Sequence, residues 1–237
     1  MSMFEDRRGG GGYRYRICAS VTGTNESEMA RAAIEGEELG ADLVELRLDT
    51  LEGLDAEKVR EVLRMTSSLG IPRIATVMPR SLFGGFTGGP AERGRLILEA
   101  ADQAEYVDVG AELGTLLPEV LGRATKKAEV VLSWHPERVL TLAEAKKFVE
   151  AWPGCSVYKV AMPAKNAEDN IRALELSLAL GGVRRIVFCH GRGGKASRIL
   201  SPLFGAEWVY ASLRAGRETA PGQLGIADLR KIREALA

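Results

Sequence analysis

Cysteine is scarce in this chain of 237 residues: Cys18, Cys155 and Cys189 are the whole complement. They are odd in number, far apart and set in apolar, strand-like stretches. No CxxC pair occurs, which argues against structural zinc. They read as reduced core thiols of a cytoplasmic protein. Net charge is also missing. Lys plus Arg and Asp plus Glu each total 32, so no dominant basic footprint marks a nucleic-acid binder. No run approaches the ~18 apolar residues of a membrane span. The start, MSMFEDRRGGGGYRYR, lacks the apolar core of a secretion signal. Residues 1–15 read as a flexible tail around RRGGGG. No low-complexity linker follows, so residues 16–237 are expected to form one domain.

Nucleotide fingerprints fail as well. The turn after the first expected strand, SVTGTNES, has no GxGxxG. Ahead of HGRGGKASRI (190–199), the first glycine of a P-loop, five places before Gly194-Lys195, is replaced by Cys189, and Ala196 stands where a P-loop needs Ser or Thr. No metal or nucleotide cofactor is expected.

What is present is a regular alternation of short apolar strands and amphipathic helices. Strands are expected at 16–21, 42–48, 73–78, 106–111, 129–135, 156–162, 185–190 and 208–213. Helices are expected at 26–40, 55–70, 90–103, 117–127, 142–152, 166–181, 195–204 and 225–237. Alternation of this kind implies a parallel sheet with right-handed crossovers. Eight units in this length suggest a single (β/α)8 TIM barrel, with an open doubly wound sheet as the other choice.

In such a barrel the chemistry gathers at the C-terminal strand ends. The polar residues there are Ser20, Glu45, Arg47, Arg80, Asp108, His135, Lys159 and His190, a set that a packed core does not choose. Lys159 interrupts the buried-strand pattern SVYKVAMP, where an ammonium is expensive unless paired, neutral or reaching water. It reads either as a snorkelling structural lysine or as an imine-forming amine with a lowered pKa. His135 closes the adjacent strand, within reach of Lys159 as a proton shuttle. In ELRLD (45–49), alternation turns Glu45, Arg47 and Asp49 inward, as a buried ion pair or as a substrate clamp in which Glu45 orients Arg47. Arg198 lies near the start of a short helix and suits a carboxylate. The segments FGGFTGGP (83–90) and ETAPGQLG (218–225), with Thr219 and Gln223, read as turns or lids over the mouth.

The motifs ICASVTG, VELRLD, SWHPE, YKVAMP, ASRI and TAPGQ, in this order, resemble type I 3-dehydroquinate dehydratases from about residue 16 onward. That resemblance implies a (β/α)8 barrel that dehydrates 3-dehydroquinate to 3-dehydroshikimate through a lysine Schiff base. It implies Lys159, His135 and Glu45 as the catalytic set. It implies Ser20, Arg47, Arg80, Arg198, Thr219, Gln223 and Tyr210 as substrate-binding residues, with no cofactor. The chain departs from the family pattern at Met78-Pro79 ahead of Arg80, at Phe83, at Pro136 and at Thr219. A class I aldolase-type lyase and a non-catalytic ligand-sensing barrel are the other readings. The partner is a small molecule in each case, and a homodimer is neither required nor excluded.

Overall fold

The computed structural model describes residues 15–236. Of the expected tail, residues 1–15, residues 1–14 lie outside the described residues, and Tyr15 is not tail-like: it is buried and its hydroxyl donates to Ile199 O at 2.8 Å. The strands are β1 (Ile17–Val21), β2 (Leu43–Arg47), β3 (Arg73–Thr76), β4 (Tyr106–Gly110), β5 (Glu129–Trp134), β6 (Val157–Pro163), β7 (Arg185–His190), β8 (Val209–Ser212) and a short β9 (Leu224–Gly225). The helices are α1 (Glu26–Glu38), α2 (Ala56–Met65), α3 (Pro90–Ala100), α4 (Leu117–Ala124), α5 (Leu142–Ala151), α6 (Ala167–Ala179), α7 (Lys195–Leu200) and α8 (Ile226–Leu236). All ladders are parallel, in the order β7-β6-β5-β4-β3-β2-β1-β8-β9. The sheet curls into the expected (β/α)8 barrel. No helix among the described residues is long and apolar enough to cross a membrane.

Helix starts follow local chemistry. Asn25 and Asp55 each accept a backbone N–H three residues on, at Glu28 and Lys58. Thr141 with Glu144 and Asn166 with Asp169 form complete capping boxes.

Alternation along each strand divides the core in two. Outward residues such as Ala19, Leu46, Val107, Leu132, Val160 and Met162 pack against the helices. Inward residues form a separate cluster, including Cys18, Leu43, Ile74, Val131, Val157, Ala161, Ile186, Phe188, Trp208 and Tyr210. Lys159 therefore occupies an interior position between Val157 and Ala161. The strand is buried on both faces because one side meets helices and the other the barrel centre.

The β7–β8 seam is closed differently from the rest. At the bottom it is held by an isolated bridge, Arg185 to Ala206. At the mouth the tail loop fills it. Leu224 pairs with Ala211 in β8, and Pro221 O accepts the Gly191 N–H just beyond β7 at 3.1 Å. Gly222, at φ +89°, allows this approach; a Cβ there would lie 2.4 Å from Gly191 O.

Candidate active site

The mouth contains a cavity of about 530 Å³, open to solvent at its entrance, lined by Glu45, Arg47, Met78, Leu82, Phe83, His135, Lys159, Ala161, Phe188, His190, Arg198, Tyr210, Thr219, Ala220 and Gln223. A wider groove of about 890 Å³ lies over α2, α3 and α4, but its charges are surface residues such as the Lys127–Asp102 pair.

The Lys159 ammonium, 4 % exposed, donates to Asp108 Oδ2 at 2.9 Å. Glu45 Oε1 lies 4.0 Å away, and Nζ sits 4.7 Å from the Tyr210 ring centre. Burial alone would lower its pKa, yet Asp108 beside it, with Tyr210 and Glu45, raises it above the ordinary lysine value. The expectation of a lowered pKa is therefore corrected for the free protein: paired carboxylates outweigh desolvation. The paired group is also Asp108, not His135, since no hydrogen bond links the histidine to Lys159 among the described residues.

His135 follows β5 and lines the same cavity, and its Nδ1 is buried without a partner. Burial, then the Lys159 charge, lowers its pKa from 6.5 to about 3, so the imidazole is neutral. His190 lies edge-on to Phe83, centroids 5.8 Å apart.

Glu45 is fixed by hydroxyls: Ser20 Oγ donates to Oε2 at 2.5 Å and Thr76 Oγ1 to Oε1 at 3.1 Å. Thr219 Oγ1 donates in turn to Ser20 Oγ at 2.8 Å. Gln223 Oε1 accepts the Thr219 N–H at 2.8 Å, which ties the tail loop into the same network. Arg47 is not oriented by Glu45 as expected. The chain enters a 3-10 turn (Leu48–Thr50) directly after it, and this returns Asp49 to bind Arg47 twice, at 2.9 and 2.7 Å. Asp49 also accepts the Gly85 N–H at 2.9 Å, coupling Arg47 to the glycine-rich loop.

Arg198 is 3 % exposed. Its Nε has no partner among the described residues, and its guanidinium lies 4.3 Å from the Phe188 ring centre. Burial lowers its pKa to about 10. The expected placement near a helix start is corrected: α7 has six residues and Arg198 falls in its last turn. The Tyr210 hydroxyl is likewise buried and unpartnered, its pKa raised by burial. Three unpaired polar groups, on His135, Arg198 and Tyr210, thus belong to residues of one cavity, an arrangement that a bound polar molecule resolves.

Arg80 is the exception. It is exposed and outside the cavity lining. β3 stops at Thr76, and Met78-Pro79 lead into a 3-10 turn (Arg80–Leu82) whose Arg80 N–H is held by Phe86 O. Met78, Leu82 and Phe83 line the wall instead. Phe83, at φ +64°, is 66 % exposed.

The sequence reading left Asp108 without a role. Its signal was the same as that of Lys159: a charge inside an apolar strand, YVDVG, that needs an opposite charge.

The family model of type I 3-dehydroquinase matches residues 17–237. A 3-dehydroquinate dehydratase of Methanopyrus kandleri is 31% identical over 226 residues, covering 93% of this chain and 99% of that protein. One of Syntrophobacter fumaroxidans is 34% identical, covering 92% and 95%. The crystal structure of type I 3-dehydroquinate dehydratase from Clostridium difficile superposes with a TM-score of 0.84 at 22% identity, covering 95% of this chain and 93% of that one. The barrel together with these matches defines a carbon–oxygen lyase. The chain belongs to the type I 3-dehydroquinase family. Its reaction is the dehydration of 3-dehydroquinate in the shikimate pathway, with the Schiff-base chemistry characteristic of that family.

Proposed function

We propose that Lys159 forms the imine with the C3 ketone of 3-dehydroquinate and that His135 moves the protons. The observation that supports this most directly is the shared cavity, which brings a buried lysine, a neutral histidine and an unpaired arginine together. The protonated imine is an electron sink and makes a C2 proton removable. His135, already neutral, accepts it and later protonates the departing C1 hydroxyl. A histidine held this far below its ordinary pKa is a weak base, so most of the activation must come from the iminium charge. Hydrolysis of the imine releases 3-dehydroshikimate.

Arg198 binds the substrate carboxylate, which supplies the counter-charge that the free protein withholds. Glu45 and Arg47, with Ser20, Thr219, Gln223 and Tyr210, hold the hydroxyls and ring. Arg80 has no part in this proposal, because its side chain is outside the cavity. A cytoplasmic location belongs to the same reading, supported by three free cysteines.

The test is borohydride reduction in the presence of 3-dehydroquinate, followed by mass spectrometry of the modified peptide. The adduct is expected on Lys159. An adduct on Lys126, Lys165 or Lys195 would overturn the assignment.

A further inference from the structure

Lys159 is held in a form that cannot attack a ketone. Its ammonium is bound to Asp108 Oδ2 at 2.9 Å. The other carboxylate oxygen, Oδ1, accepts Ser133 Oγ at 2.5 Å. Asp108, Ser133 and Lys159 sit on three consecutive strands, β4, β5 and β6, with Ser133 and Lys159 in direct register. All three are buried, Asp108 to 1 % exposure. No solvent path is needed for a proton to pass between Nζ and Oδ2.

The overall chemistry of imine formation is proton-neutral. An ammonium and a ketone give a protonated imine and one water. A group is needed only to take a proton early and return it late. We propose that Asp108 is that group, a catalytic acid–base residue for imine formation on Lys159. This rests on the reading of Lys159 as the imine-forming residue. In the first step Oδ2 takes a proton from Nζ, leaving a neutral amine and a neutral carboxylic acid. The amine lone pair then forms the N–C3 bond while the C3–O π pair moves onto oxygen. A proton passes from the new ammonium to that oxygen, giving a neutral carbinolamine. Asp108 returns its proton to the carbinolamine hydroxyl, the C3–O bond breaks, and water leaves. The nitrogen lone pair completes the iminium. Asp108 ends as a carboxylate facing that iminium, so the original ion pair is carried over to the new cation with charge and atoms conserved.

The neighbouring groups are less suited. Glu45 on β2 is 4.0 Å from Nζ, and its oxygens are occupied by Ser20 and Thr76. Arg47 on β2 is bound by Asp49. His135 after β5 makes no hydrogen bond to the amine, and Tyr210 on β8 faces Nζ with its ring. Cys18 on β1 is fully buried with its thiol pKa raised by burial. Lys159 and the Ser133 hydroxyl together overcome the upward push of burial on Asp108 and hold its pKa below the usual carboxylate value. The carboxylate is therefore ready at the start of each turnover.

The test is single-turnover mixing with 3-dehydroquinate across a pH series, with borohydride quenching and mass measurement of the Lys159 adduct. In the wild type the rate of adduct formation is expected to be flat around neutral pH, because the proton is stored internally. Asp108→Asn should slow adduct formation by about 10²–10⁴-fold, the usual contribution of a positioned acid–base group. It should also slow further as pH rises, because solvent must now supply the proton. Asp108→Glu should recover part of the rate. Adduct formation by Asp108→Asn at the wild-type rate, or with the wild-type pH profile, overturns the inference and leaves the role of Lys159 intact. A wild-type adduct mapped to a different lysine overturns both. If Asp108→Asn does not fold, Ser133→Ala decides. Losing that hydrogen bond raises the carboxylate pKa, so the acid limb of the profile should move to higher pH; an unmoved limb overturns the inference.

Discussion

Two buried arginines, Arg73 at the bottom of the barrel and Arg198 at its mouth, are used in opposite ways. At the bottom, Arg73 binds Glu105 at 2.8 Å together with the Leu63 and Gln103 carbonyls at 2.7 and 2.6 Å. Arg184 binds Glu129, Glu207 and the Tyr106 hydroxyl. These guanidiniums join strands to their neighbours. At the mouth, Arg198 is as buried as Arg73 but lies against a phenyl ring, with Nε unpaired among the described residues. The bottom is not free of orphans, since Arg16 Nε and Trp208 Nε1 also lack partners among the described residues; its principal ion pairs are nonetheless complete. Charge at one end is used up in holding the fold. At the other, Arg47 and Lys159 are paired by Asp49 and Asp108, but the Arg198 charge is kept without a carboxylate partner among the described residues, at a cost in stability, for a ligand that brings its own charge.

The sharpest way to test this contrast is at the groups that react. His135→Ala should lower turnover by about 10²–10⁴-fold while leaving substrate affinity near the wild-type value, as read from kcat and a separate binding titration. Next is a pair of matched substitutions followed by urea denaturation. Arg73→Met should lose about 3 kcal/mol by leaving carbonyls and Glu105 unpaired. Arg198→Met should lose no stability, or gain some, while weakening substrate binding tenfold or more. Equal destabilisation by both would erase the distinction between the ends. A smaller effect is expected from pH. Unfolded His135 takes up a proton near 6.5, whereas the folded side chain does so only near 3. The unfolded state thus binds more protons in that window, so this contribution to stability is complete above about 6.5 and declines as pH falls. At one pH unit below 6.5 the wild type should have lost about 1.4 kcal/mol more than His135→Asn, each relative to its own value at high pH, measured as the pH dependence of unfolding.

The elements were legible because burial on both faces writes continuous apolar strands and one-sided helices. Lys159 was legible as an anomaly in β6. Its partner was not, because Asp108 is 51 residues away on a strand two removed, and the contact depends on the curvature and stagger of the barrel. Of the two readings of ELRLD the buried ion pair holds, as Arg47–Asp49, and the clamp in which Glu45 orients Arg47 fails for a local reason. Period-two alternation was carried past the end of β2, into a 3-10 turn where it no longer holds. Arg80 failed because a family spacing was carried across Met78-Pro79, which redirect the backbone before the arginine is reached.

The tail loop closes the β7–β8 seam with the same residues that join the substrate network, since Pro221 holds Gly191 while Thr219 reaches Ser20. Amide exchange should therefore be fastest along this seam in the empty protein, at Gly191 and the β9 strand, and should slow together when a substrate analogue fills the mouth. Filling the site is thereby expected to stiffen the barrel wall at the same time.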